Sequence, residues 1–351
     1  MPRKLQDSVV VITGATSGIG QATALEFARN GATLVLAARR EQALQDLAQE
    51  CERSGAPRAV ALPTDVSDEG AVNALGRAAI ENFGRIDVWV NNAAVTLFGR
   101  FEETPPEDYR RVIEVNLFGY IHGARTALKY FREQGSGVLI DLSSIVASVP
   151  QPYTSSYTLS KAAIRSLGMS LRQELTLDGS HDIHVCTVMP ATIDTPLFQH
   201  AANYTGRAVR AMPPVISTVR VARTIVNLAK RPRREVTVGN AGRQFMLIRA
   251  FAPALAERMM ATQVDKTHLY QDKRAEPTSG NLWKPMPQYA QVSGHWTASG
   301  YQQDEARPQR RSVGLAGFGA AAIVPAIWLW RRRQQRVRQP GLWGRIQRVW
   351  T

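Results

Sequence analysis

Two cysteines among 351 residues, Cys51 and Cys186, lie far apart and form no C-x-x-C pair. Nothing supports a disulfide framework, and the chain suits a reducing compartment. Histidine is sparse at six residues. None has metal-ligand spacing, His181 and His184 read as surface groups beside a short turn, and no metal site is predicted. The amino terminus, MPRKLQDSVVVITG, sets basic residues before an apolar run that is too short for a secretory signal and continues into glycines, so it reads as a first strand. Acidic residues number 29 against 43 Lys and Arg, a net charge of +14. Such a surplus would suit nucleic acid if it were spread over the chain. Residues 306–351, however, hold ten arginines and neither lysine nor acid. The rest is near neutral and carries no nucleic-acid motif, so no nucleic-acid partner is predicted.

What is present begins with SSIVASVPQPYTSSYTLSK, in which Tyr157 follows Ser144 by thirteen positions and precedes Lys161 by four. Ala162, Leu167, Leu171 and Leu175 recur at helical intervals, placing Tyr157 and Lys161 on one helix face. A phenol is a poor base at neutral pH, and a nearby ammonium favours its ionised form, so the pair reads as a tuned acid/base. Ser144 follows the apolar run 138–142 and would sit at the carboxyl end of a strand, the edge where open α/β sheets bind ligands.

The run Ser8 to Ile12 leads into TGATSGIG, Thr13 to Gly20, and then a helical pattern with Ala24, Phe27 and Ala28 apolar. Gly14, Gly18 and Gly20, with Ser17 and Ile19 between them, would let the backbone approach a pyrophosphate resting on the helix amino end. Their spacing is G-x-x-x-G-x-G. A second strand, Thr33 to Ala38, ends in Arg39 and Arg40 where an NAD site usually carries an acid. Arginine there suits the 2′-phosphate of NADP, the predicted cofactor, in preference to NAD.

Taken together, these motifs resemble the short-chain dehydrogenase/reductase family from about Asp7 to Gly239. TGATSGIG matches its cofactor loop, Asp65 and Val66 its adenine contact, and Asn91-Asn92-Ala93-Ala94 its NNAG element with Ala94 for glycine. Pro190 to Thr195 matches PG-x-x-x-T, with Ala191 for glycine. Asn116, Ser144, Tyr157 and Lys161 match its catalytic tetrad. The resemblance implies hydride exchange between a nicotinamide and a carbonyl or alcohol carbon, with Tyr157 moving the proton and Ser144 holding the oxygen. It assigns Lys161 to the phenol and the nicotinamide ribose, Asn116 to a relay water, Asn92 to the cofactor site, and Ile193 and Thr195 to the carboxamide.

Strand-like runs at 60–62, 86–90, 138–142, 184–189 and 235–238 alternate with helical segments, which predicts a Rossmann-like, doubly wound parallel sheet with helices on both faces. A helix over 106–133 and the Tyr157 helix resemble the family's four-helix dimer interface, implying a homo-oligomer. Burial within one subunit accounts for the same apolar residues. The expected organisation is a catalytic domain over 1–240, with a family-like lid over 195–214. A helical extension near the substrate pocket follows over 241–266, then a linker or disordered arm over 267–312, then an anchoring tail over 313–351.

Val313 to Trp330 is 18 uncharged residues, about 27 Å as a helix against a bilayer core of about 30 Å. Four of the seven tryptophans, Trp328, Trp330, Trp343 and Trp350, fall in the tail beside its arginines, a pattern suited to an anionic membrane surface. A solvated tail or an arginine-rich RNA contact are the alternatives. Pro325 interrupts the run, and an NADP-using domain and the basic flank both favour the cytosol. The expectation is therefore a cytoplasmic catalytic domain tethered by a monotopic or re-entrant anchor. Two functions stay in view: an oxidoreductase on a carbonyl or alcohol, or a membrane-tethered NADP sensor without turnover.

Overall fold

The computed structural model describes residues 4–296 of the chain. The apolar run, the arginine-rich tail and the anchor predicted from them lie outside the described residues. Among those described, no helix is long and apolar enough to cross a membrane.

Seven parallel strands form the sheet: β1 (Val9–Thr13), β2 (Thr33–Ala38), β3 (Ala59–Pro63), β4 (Val88–Asn91), β5 (Gly137–Leu142), β6 (Ile183–Pro190) and β7 (Glu235–Val238). Their order is β7-β6-β5-β4-β1-β2-β3, with Val10 in register between Leu34 and Val88. The helices are α1 (Gly18–Ala28), α2 (Glu41–Arg53), α3 (Glu69–Phe83), α4 (Pro106–Ile113), α5 (Gly119–Gln134), α6 (Ser155–Leu177) and α7 (Thr218–Lys230).

Every residue of β1, β2, β4 and β5 is buried, because helices cover both sheet faces. Strand alternation divides the core in two. Val10, Ile12, Leu34 and Leu36 pack with Phe27, Leu44 and Ile225 of α1, α2 and α7. Val9, Val11 and Val35 pack with Leu75, Val112, Phe131 and Leu175 on the opposite face. Strand order reverses between β1 and β4, which opens a crevice at the carboxyl edge. The segments following β1, β4, β5 and β6 meet there.

The predicted helix over 106–133 is interrupted. A π turn, Glu114–Phe118, separates α4 from α5. It carries Asn116, whose Oδ1 accepts from the Val95 amide at 2.9 Å and whose Nδ2 donates to the Val95 carbonyl at 2.9 Å. A π turn carries one more residue per ring than the α pattern, and such turns concentrate at functional positions.

Beyond β7, α8 (Asn240–Phe251) and α9 (Pro253–Thr267) follow, with Pro253 in the opening turn of α9 where its missing N–H costs nothing. Met260 and Val264 of α9 pack with Val149 and Met212. Composition predicts a linker or arm from 267 onward; through residue 296 the chain instead lies on the domain. Strand Leu269–Arg274 pairs antiparallel with Arg207–Val209, inside the expected lid. Residues 278–296 then bond to the domain through backbone groups: the Asn203 amide donates to Thr278 O at 2.8 Å and the Asn281 amide to His200 O at 3.0 Å. Backbone pairing of this kind leaves no mark on composition.

Candidate active site

Ser144 leaves β5 and caps the 3-10 turn Ile145–Ala147, its Oγ accepting from the Val146 amide at 3.3 Å and donating to Pro190 O at 3.4 Å. Tyr157 stands in the first turn of α6 and Lys161 one turn later, and all three line one cavity of about 230 Å³. The low-polarity surroundings push the Tyr157 phenol up to about 12, with the Ser144 hydroxyl acting the other way. This departs from the predicted tuning by Lys161. The ammonium lies 5.6 Å from the Tyr157 ring centroid, while Nζ donates to Leu142 O at 2.7 Å and to the Tyr120 hydroxyl at 3.1 Å. Burial brings Lys161 down to about 7, opposed by Asp141. A protonated phenol beside a serine hydroxyl is equipped to give a proton.

Asn116 does not line the cavity; it is fully buried and joins the Val95 segment to Ser160 of α6 at 3.3 Å. That places it behind the Tyr157–Lys161 turn.

Glycines shape the opposite wall. A Cβ on Gly20 would collide with Gly14 O and the Asn92 amide, and Gly14 has φ +65° with the Ala93 backbone against it. Asn92 Nδ2 donates to Thr13 O at 2.9 Å and Gly14 O at 3.0 Å, so it joins the β1 and β4 loops. Ser17 begins α1 without a side-chain cap, and no acid sits in the first turn, a helix amino end suited to an anion. Ser17, Gly18, Ile19, Val66, Ile193 and Thr195 line the cavity with these residues.

At the far end, Arg39 and Arg40 follow β2 next to Asp65. Asp65 accepts from Arg111 at 2.6 Å and from the Ser67 hydroxyl at 2.7 Å. Burial acts to raise its pKa, and the Ser67 and Arg111 bonds outweigh it, holding the carboxyl below its ordinary value. Arg40 Nε and Nη2 donate to the Thr16 hydroxyl at 3.0 and 2.9 Å. Thus the predicted cofactor residues other than Gly20, which packs behind Gly14 O, line the cavity, with the basic pair at its remote end. Cradle, helix end and arginines fit a nicotinamide dinucleotide.

Sequence reasoning missed Tyr120, Asp141 and the residues around Asn281. Tyr120 lies four positions after Asn116, a usable helical signal. Asp141 is fully buried, and its Oδ1 accepts from Asn91 Nδ2 at 2.9 Å. Burial raises it to about 7. Asn281 reaches the cavity only through long-range folding and carried no local signal.

A dinucleotide cradle facing a Ser, Tyr and Lys cluster defines a pyridine-nucleotide oxidoreductase. The model of the short chain dehydrogenase family matches residues 8–204. The uncharacterized oxidoreductase YxnA of Bacillus subtilis is 36% identical over 264 residues, covering 74% of this chain and 72% of its own. The 11-beta-hydroxysteroid dehydrogenase A of Sesamum indicum is 37% identical over 241 residues, 65% of this chain and 67% of its own. A short chain dehydrogenase/reductase from Burkholderia phymatum, solved in complex with NAD, superposes with a TM-score of 0.66 at 26% identity, covering 73% of this chain and 97% of that one. The protein belongs to the short-chain dehydrogenase/reductase family and is an NAD(P)-dependent oxidoreductase.

Proposed function

We propose that the protein uses NADPH to reduce a carbonyl on a lipophilic substrate to the alcohol, at a membrane surface. The observation that carries the chemistry is that Ser144 and Tyr157 line the same cavity wall, where burial acts to raise the phenol pKa. The bound nicotinamide supplies the hydride. Ser144 donates a hydrogen bond to the substrate oxygen and positions it. Tyr157 gives that oxygen its proton. Lys161, its ammonium held on Leu142 O and Tyr120, would meet the nicotinamide ribose, and Asn116 would help hold the water that relays protons from solvent. The reverse sequence oxidises an alcohol.

Arg39 and Arg40 support NADP over NAD, since two guanidiniums where an acid would meet ribose hydroxyls match a phosphate. Ile145, Val146, Leu197, Phe198 and Met212 give the catalytic end an apolar wall. That wall, the steroid named for the sesame relative and the apolar, arginine-rich tail support a lipophilic substrate met at an anionic membrane. Phe118, Leu159 and Met169 are exposed on the α5–α6 side, which supports a homo-oligomer through those helices.

The test is an NADPH oxidation assay on full-length protein with steroid, retinoid, fatty-chain and small polar carbonyls, with and without anionic vesicles. Turnover of lipophilic substrates, with co-flotation on the vesicles, is expected. NADPH binding without turnover across the panel would favour the sensor.

A further inference from the structure

Residues 281–296 touch the arginines after β2, the start of α1 and the segment after β6. Arg39 donates to Asn281 O at 2.6 Å and Leu282 O at 3.0 Å, and Arg40 to Met286 O at 2.9 Å. The Gly18 amide, at the start of α1, donates to Gln291 O at 2.9 Å. Asp194, in the segment after β6, accepts from the Ser293 hydroxyl at 2.7 Å and from the amides of Gly294 and Trp296 at 3.2 and 3.0 Å. The Trp296 indole donates to Thr195 O at 2.9 Å and meets the Phe198 ring edge-on. One strand of chain therefore crosses from the basic end of the cavity to the carboxamide end.

It walls the cavity and leaves it open beneath. Asn281, Pro285 and Met286 face the same space as Gly14, Arg39 and Asp65. The side chains of Asn281 and His200, both lining residues, interact with each other, which ties the start of this stretch to the segment after β6. The ordering of this stretch comes from the domain under it. Apart from a 3-10 turn at Pro287–Tyr289, residues 281–296 form no regular element. A segment held by a row of separate hydrogen bonds opens at lower cost than a helix or strand of the core.

We propose that residues 281–296 are a clasp that completes the dinucleotide site: they open to admit the cofactor, close over its adenosine half, and slow its release. The inference rests on the reading of this cavity as the NADP(H) site. Arg39 and Arg40 are the hinge of recognition, since clasp carbonyls accept from both, with Thr16 also holding Arg40; closing the clasp orders the pair that meets the 2′-phosphate. Release of oxidised cofactor then requires the clasp to lift, making this segment a determinant of turnover as well as affinity.

Gly294 supplies the handle for a test, because a Cβ there would run into Thr195 O and the Trp296 indole. NADPH affinity is measured by nicotinamide fluorescence, and its release by stopped-flow displacement with excess NADP. The full-length protein is compared with Gly294→Val and Trp296→Ala, in detergent. Both variants are expected to release NADPH at least tenfold faster and bind it more weakly. Hydrogen exchange on the unaltered protein supplies a readout free of substitutions: NADPH is expected to slow exchange across 281–296. Unchanged release in Trp296→Ala, together with unchanged exchange, would overturn the clasp even if Gly294→Val fails to fold. Tighter binding in the variants would also overturn it, marking the segment as a plug that competes with cofactor. An unaltered protein that binds no NADPH would instead remove the reading of the cavity itself.

Discussion

The catalytic end and the adenosine end of the cavity are built differently. Ser144, Tyr157 and Lys161 sit on a strand end and the opening turns of one helix, within 18 positions of sequence, so local geometry fixes their spacing. Arg39 and Asp65 also follow strands, but their surroundings come from Arg111 and from residues more than 200 positions away. On the proposed reading, the chemistry is encoded in short-range periodicity, whereas the holding of the cofactor depends on long-range backbone contacts. Substitutions at the first end should change rate, and those at the second should change affinity and preference.

The largest separation of the two ends is expected from Ser144→Ala. Losing one donor to the reacting oxygen should lower kcat about 10²-fold or more while NADPH affinity stays level. Parallel loss in fluorescence titrations would tie Ser144 to cofactor binding. Next in size, Arg39→Asp should cut the NADPH-over-NADH preference in kcat/KM by roughly tenfold or more, through loss of a charge-assisted phosphate contact and gain of a repulsive one. An unchanged ratio would remove Arg39 from selection.

The smallest effect concerns pH. Burial lowers Lys161 to about 7, and the Asp141 carboxylate raises it. Lys161 is charged below its pKa, so activity that needs the ammonium falls as pH rises through that value. Asp141→Asn removes the supporting charge and should move the alkaline limb of kcat/KM to lower pH. A limb that stays in place would belong to another group.

Legibility followed the same divide. Strands β2 and β7 were readable to the residue because each is a short apolar or β-branched run with clear ends. Tyr157 and Lys161 were readable from helical spacing. The π turn at Asn116 was not, since its apolar pattern fits a continuous helix and the Asn116 side chain bonds to Val95, 21 positions away. The lowering of the phenol pKa was also misjudged. Four-residue spacing brings the two side chains to one face, but it cannot show that Leu142 O and Tyr120 draw the ammonium aside. The path of residues 281–296 left no pattern in composition because backbone carbonyls, common to every residue, accept the arginine bonds.

The most direct measurement compares Tyr157→Phe with the unaltered protein in a single-turnover assay on pre-bound NADPH, with affinity determined on the same samples. Loss of one hydroxyl should lower carbonyl reduction by about 10³-fold or more while leaving NADPH affinity within about twofold, since acid/base groups contribute about 10²–10⁴ and this phenol also bears on substrate position. Retained reduction, or cofactor binding lost along with it, would contradict the assignment of chemistry and holding to separate ends of one cavity.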